Sequence, residues 1–281
     1  MIKLLLPLVI GAIFALATLI FLQLRYKLKV NYIWQCLQSE PKSAVITPVF
    51  QTEMIAELPE PVQRYFLHAI APGSKLSAWV QLEMKGNFRL QPQANWLPMQ
   101  ASQIISSLGG FVWRAKIGQG LTRFSGADYC YQGKGGIRFS LGNLFPLVDR
   151  QNQADISRSA IGRLGAEYAS WLPSTLLPQT GVTWQAKGKH TIQANCKIAN
   201  EPLSLTLTID DKGKLLKLTL PRWGKQTQKG EWEYIPFAAE MSAEQTYGGY
   251  TIPSEITARW WLEKDNYFEF FRARIEKAQF A

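Results

Sequence analysis

Residues 161–178 read IGRLGAEYASWLPSTLLP, and they hold the chain's most suggestive set of chemical groups. Glu167 stands four residues after Arg163 and four before Trp171, a spacing that makes them neighbours on one face of a helix. A buried carboxylate is driven toward its neutral form by desolvation, and an adjacent guanidinium opposes that drive. Such a pair has two functional uses. It can anchor the polar end of a ligand beside an apolar wall formed by Trp171. It can also move a proton in a cavity, with Arg163 or Asp128 assisting Glu167. The bland use is an ion pair at a helix edge with Trp171 as ordinary core. The candidate ligand-binding residues are Glu167, Arg163, Trp171, Tyr168 and Asp128, and no catalytic residue is assigned.

Other catalytic signatures are missing from the sequence. Its two histidines, His68 and His190, have no GxSxG serine, HExxH pair or metal-ligand partner nearby in sequence. YQGKGGIRF (131–139) lacks the GxxxxGK[ST] spacing that cradles phosphate and reads as a turn between strands. Asp210-Asp211 lies in a hairpin turn. Cys36, Cys130 and Cys196 are far apart, without a CxxC pair, so neither a zinc ribbon nor a disulfide framework is expected. The reading includes no metal and no cofactor.

Leu4 to Leu24 is apolar apart from Gln23 and Thr18, long enough at about 1.5 Å per residue to cross a hydrocarbon core of roughly 30 Å. A cleaved signal peptide would carry a shorter apolar run ending at a small-x-small site. Here the run ends in FLQLRYKLKV, which favours a retained single-pass anchor over residues 1–30. Lys3 and the α-amino group precede the span, while Arg25, Lys27 and Lys29 follow it. By the positive-inside rule this leans the globular part toward the cytoplasm. The formal net charge of +10 falls to +6 without those four basic side chains, and there is no run of like charges or nucleic-acid-reading motif. The expected partner is therefore a membrane and not a nucleic acid, with the basic flank beside anionic lipid.

The elements that position Glu167 follow from periodicity. Residues 31–57 show no sustained period and read as a linker. LPEPVQRYFLHAIAPG (58–73) is a helix opened by Pro59 and Pro61 and closed by Pro72-Gly73. The period then becomes two: Val80, Leu82, Met84, Phe88 and Leu90 alternate with polar residues in a long half-buried strand. Further strands are expected at 96–105, 111–117, 122–132 and 136–141. In the second half Leu203, Leu205, Leu207 and Ile209 face one way, and a turn at Gly213 leads to Leu216, Leu218 and Leu220. Gly248-Gly249 forms a second hairpin loop, followed by two last strands. Between the halves, residues near 154–172 have helical spacing, with Ile156, Ala160, Ile161, Leu164, Tyr168, Trp171 and Leu172 in one stripe. Glu167 lies about 60° from its centre at 100° per residue. Gly162 and Gly165 each weaken this helix by about 1 kcal/mol, so packing must hold it. Sequential strands joined by short turns imply an antiparallel sheet. The expected architecture is α+β, mainly β: a membrane helix, then a single curved sheet over 58–281 forming a half-barrel with covering helices.

At these residues the chain resembles a bacterial family of unknown function. The shared segments are LPEPVQRYF (58–66), GNFR…W (86–96), GFVWRAK (110–116), an LxxE-x-x-x-W-x-P-x-x-LLP helix and a late GGYTIP…ARWW. The helix motif falls on Leu164, Glu167, Trp171, Pro173 and Leu176-Leu177-Pro178, and the late motif on Gly249, Ile252, Pro253 and Trp260. Gly165-Ala166 stands where the family pattern has leucine-alanine. The family brings no assigned reaction. The element order is also similar to the lipoprotein-carrier fold of the bacterial envelope, in which helices close the concave side of a half-barrel around acyl chains. That resemblance implies a lipidic ligand and an exported domain, against the cytoplasmic lean of the charges. The function expected is a membrane-anchored protein binding an apolar or lipidic ligand. A membrane-associated enzyme using Glu167 and a structural or interaction protein without a ligand are the alternatives.

Overall fold

A computed structural model describes residues 2–39, 49–227, 229–263 and 266–281. Part of the linker expected over 31–57, residues 40–48, lies outside these. In chain order the elements are α1 (Ile2–Gln38), α2 (Glu60–Ala69), β1 (Trp79–Phe88), β2 (Leu97–Ser106), β3 (Gly110–Ile117), β4 (Phe124–Tyr131), β5 (Lys134–Leu141) and β6 (Phe145–Gln151). There follow α3 (Ala154–Trp171), β7 (Thr183–Ala186), β8 (Thr191–Ile198), β9 (Glu201–Ile209), β10 (Leu215–Gly224), β11 (Glu233–Tyr247), β12 (Tyr250–Glu263) and β13 (Asn266–Phe280).

All thirteen strands join one antiparallel sheet in the order β6-β5-β4-β3-β2-β1-β13-β12-β11-β10-β9-β8-β7. The chain starts in the middle, winds out to the β6 edge, crosses over and winds back from the β7 edge. Every neighbouring pair is consecutive except β1 and β13, whose pairing sews the two halves together. Twelve steps of about 4.8 Å would hold the edges of a flat sheet roughly 58 Å apart. The crossover consists mainly of α3, whose 18 residues cover only about 27 Å. The sheet therefore curls, and bulges bend it at Glu83/Met84, in β11 between Met241 and Glu244, and at Ala258/Arg259. Helix α3 is thus the crossover between sheet edges, laid along the concave face.

The strand period holds where it was clearest. Val80, Leu82 and Met84 are buried on the concave side, as are Leu203, Leu205, Leu207 and Ile209. Gly213, Gly248 and Gly249 adopt the left-handed φ their turns require. Leu216 departs from the expected alternation: a bulge between Leu215 and Lys217 turns it outward and puts Leu215 in the core.

The first helix differs more. It does not stop near residue 30 but continues to Gln38, and Tyr26, Val30, Ile33 and Leu37 bury a second stripe against Trp79, Ile104, Val112, Ala127 and Tyr129. The convex face of β1–β4 is therefore covered too. Residues 7–22 of the same helix stand almost entirely outside the protein.

Candidate functional site

Three inward positions of the sheet carry polar side chains where alternation calls for apolar ones. On β2 the inward series is Met99, Ala101, Gln103, Ile105. On β4 it is Phe124, Gly126, Asp128, Cys130, and on β10 it is Leu218, Leu220, Arg222, Gly224. Gln103 and Asp128 share one cross-strand rung with Trp113 between them. The flank of α3 that carries Arg163 and Glu167 descends on this rung.

The result is a closed charge cluster. Arg163 donates from Nε to Glu167 Oε1 at 2.6 Å and from Nη1 to Asp128 Oδ2 at 2.7 Å. Gln103 donates to Glu167 Oε2 at 2.7 Å, so both oxygens of that carboxylate are engaged. The Arg163 guanidinium lies over the rings of Phe111, 4.5 Å away, and Trp113, 5.3 Å away. Arg222 donates its Nε to the Ser159 carbonyl at 3.1 Å and stacks on Phe237 and Trp260. Two carboxylates thus meet two guanidiniums. Burial lifts the Asp128 carboxyl to about 6 against the opposing pull of Arg163, and burial lowers Arg222 to about 9, with repulsion from Arg163 adding to it.

These groups wall one side of a hollow of about 630 Å³ between α3 and the sheet. The rest of its lining is largely aromatic and aliphatic, including Trp113, Phe139, Phe237, Ile256, Trp260 and Phe271. Space remains because the facing positions are small: Ala239 and Ala258 are paired inward neighbours on β11 and β12, and Ala166 lies on α3. Of the stripe centred on Leu164, Trp171 alone reaches this space. Others of the stripe pack on the sheet, Ala160 against Gly135 on β5 and Tyr168 at β2, and beside the stripe a side chain at Gly165 would meet Leu203 on β9 at 2.5 Å. The glycine that departs from the family pattern is what lets the helix approach so closely. A second depression, of about 780 Å³, lies beside α1 on the convex face, but lysines and glutamates such as Lys27, Lys85, Glu83 and Glu276 line it.

Of the candidates read from the sequence, Glu167, Arg163, Asp128 and Trp171 all line the hollow. Tyr168 does not: it points to the sheet and donates its hydroxyl to the Ser106 carbonyl at 2.7 Å. Trp171 is fixed by an indole hydrogen bond to the Pro253 carbonyl at 3.2 Å. Gln103 and Arg222 were missed, and their signal was a polar residue at an inward strand position. His68 pairs with Glu244 and His190 with Asp211, both outside the hollow's lining.

The raised Asp128 pKa has a testable sign. The unfolded carboxyl titrates near 3.9, so between about pH 4 and 6 the folded state holds a proton that the unfolded chain has released. Folding stability attributable to this group falls as pH rises through that window and levels off above it. Urea unfolding of the Asp128→Asn variant should lack that decline. Parallel slopes for variant and parent would show that Asp128 titrates as an ordinary carboxylate.

No curated protein matches the chain. In backbone it is similar to a domain from Vibrio parahaemolyticus assigned by name to outer membrane lipoprotein sorting, at 9% identity and TM-score 0.42, covering 82% of this chain and 92% of that one. It is also similar to a LolA superfamily protein from Nitrosomonas europaea, at 8% identity and TM-score 0.42, covering 79% and 92%, and to a DUF1329 family protein from Desulfovibrio piger, at 8% identity and TM-score 0.40, covering 73% and 86%. The model of the family of unknown function DUF6920 matches residues 56–280, most of the chain, and the chain belongs to that family.

Proposed function

We propose that the protein is a membrane-anchored binding protein that holds the acyl part of a lipid in the hollow beneath α3. The observation that carries this reading is the hollow: about 630 Å³, within the range of small-molecule sites, mostly apolar and with charge confined to one wall. An acyl chain gains about 0.8 kcal/mol per methylene removed from water. The Asp128–Arg163–Glu167 wall, with Arg222 beside it, would meet the polar end. Glu167 is tied at both oxygens by Arg163 and Gln103, which suits a fixed anchor better than a mobile base. Ile2–Leu22 of α1, 21 residues and about 31 Å long, supplies the membrane span.

The test is native mass spectrometry of the full chain extracted in mild detergent. The expected spectrum contains, beside the bare chain, an adduct whose mass after collisional release is that of a lipid. A spectrum showing the bare chain alone, across several mild detergents, would overturn the reading.

A further inference from the structure

The pairing register places several loops side by side at one end of the sheet. Phe88 pairs with Leu97, Ile117 with Phe124 and Leu141 with Phe145, so the loops 89–96, 118–123 and 142–144 share that end. Gly118 also donates to the Pro98 carbonyl at 2.8 Å, holding the second loop against the start of β2 just past the first. The hollow opens here, for Arg89, Leu90, Leu147 and Gln226 belong to its lining.

The first helix leaves the sheet toward the same end. Leu37 lies against Gly110, at the far end of β3. Fourteen residues earlier, Gln23 accepts from Arg138 Nε at 3.1 Å and from Ser140 Oγ at 3.4 Å, next to the β5–β6 turn. Residues 7–22 run on from there in an unbroken helix, almost all of them exposed and apolar.

A third observation is independent of both. Among the described residues outside α1, the six most exposed large apolar or aromatic side chains all sit at this end: Leu121 (97%), Phe145 and Leu147 (59% each), Leu90 (55%), Tyr267 and Tyr234. Among the described residues, the opposite end offers only less exposed ones: Leu108 at 42%, Leu67 at 41%, and Val49 and Leu216 lower still. Soluble surfaces rarely gather such side chains without a partner, and tyrosine is a residue of the lipid–water boundary.

We infer that this end of the sheet docks on the bilayer that holds α1, with Leu121, Phe145 and Leu147 among the lipids and the hollow opening directly onto the leaflet. The inference rests on reading α1 as an anchor and the hollow as a lipid site. It adds that the acyl chain comes from the membrane beneath and not through water. Because α1 is continuous from the apolar span to its seat on the convex face, no flexible tether intervenes. The rigid seat is what commits these loops to the membrane, since a tethered domain could turn them elsewhere.

The experiment uses the full chain in vesicles of phosphatidylethanolamine and phosphatidylglycerol. A polarity-sensitive thiol dye is placed on Leu121→Cys and, separately, on Leu108→Cys, with native-cysteine labelling subtracted from the unsubstituted chain. The expected result is blue-shifted emission at 121, lost when the lipids carry acyl-chain nitroxides, and water-like emission at 108. Water-like emission at both positions overturns the docking. A blue shift at 121 that nitroxide lipids leave intact also overturns it, since a protein then covers the patch. Uptake of a fluorescent fatty acid, measured on the same samples, separates the two claims. Uptake with position 121 in water refutes the docking alone, whereas position 121 in lipid without uptake refutes the binding reading and leaves the docking standing. In addition, Leu121→Asp with Phe145→Asp should slow loading from vesicles and leave loading from detergent micelles unchanged; equal slowing in both would count against a route through the leaflet.

Discussion

Arg163→Ala is expected to destabilise the fold by about 3–5 kcal/mol, roughly a hundredfold to several thousandfold in the folding equilibrium. The reason is what the substitution leaves behind. Asp128 and Glu167 would face each other from β4 and α3 without the cation that now bonds both, and the aromatic faces of Phe111 and Trp113 would lose the charge stacked on them. Arg222 is the nearest remaining positive group, and it is engaged with Ser159 and two rings. The loss should be smaller at pH 5 than at pH 8, because protonating one carboxyl relieves the repulsion. Neutralising all three groups together, as Asp128→Asn, Arg163→Met and Glu167→Gln, should recover most of the stability, as replacing a whole buried ion network commonly does. Urea unfolding in detergent, followed by tryptophan fluorescence, measures each step. If Arg163→Ala unfolded within about 1 kcal/mol of the parent, as an exposed ion pair would, the cluster would have to be well solvated and the hollow's polar wall wet.

Ala258→Trp is expected to abolish lipid loading while leaving the melting temperature close to that of the parent. Ala258 points into the hollow beside Ala239, flanked by Trp260 two residues on. An aromatic ring placed there enters empty space, so the strain that usually follows a small-to-large core substitution is largely avoided. A cavity of about 150 Å³ already accepts a benzene, and the hollow is roughly four times that size. One indole therefore removes a sizeable part of the room an extended chain needs. The readout is the lipid adduct in native mass spectrometry, or saturable uptake of a fluorescent fatty acid, set against a thermal melt. Undiminished loading in a well-folded variant would mean that the ligand lies elsewhere.

The sequence made the large elements legible and hid the ones governed by tertiary contact. The α3 helix announced itself through its stripe and through Pro173, and Gly213 and Gly248-Gly249 marked their hairpins through the φ they alone adopt easily. Short β7, with its four residues, is too brief to show a period, whereas β8 could have been read, since Ile192, Ala194, Cys196 and Ile198 alternate with Thr191, Gln193, Asn195 and Lys197. Edge strand β6 has little periodicity because its side chains are mostly exposed on both faces, so neither face calls for an apolar set. The second half of α1 was readable in principle: Tyr26, Val30, Ile33 and Leu37 follow helical spacing, yet nothing local says that a strand face waits for them. The site was half legible. Glu167 and Arg163 stood out because they neighbour each other on one helix, whereas Gln103 and Arg222 join them only through register across a sheet whose pairing no local pattern specifies.

The seam between β1 and β13 sets the timetable by which this protein can form. Central strand β1 finds one of its two partners almost two hundred residues downstream, so a nascent chain must wait with an unpaired edge until β13 is made. Long waits of that kind make folding slow and expose edges to the wrong neighbour. The sheet therefore closes only when β13 is available, and a chain cut short before β13 would present its open middle to every other strand nearby.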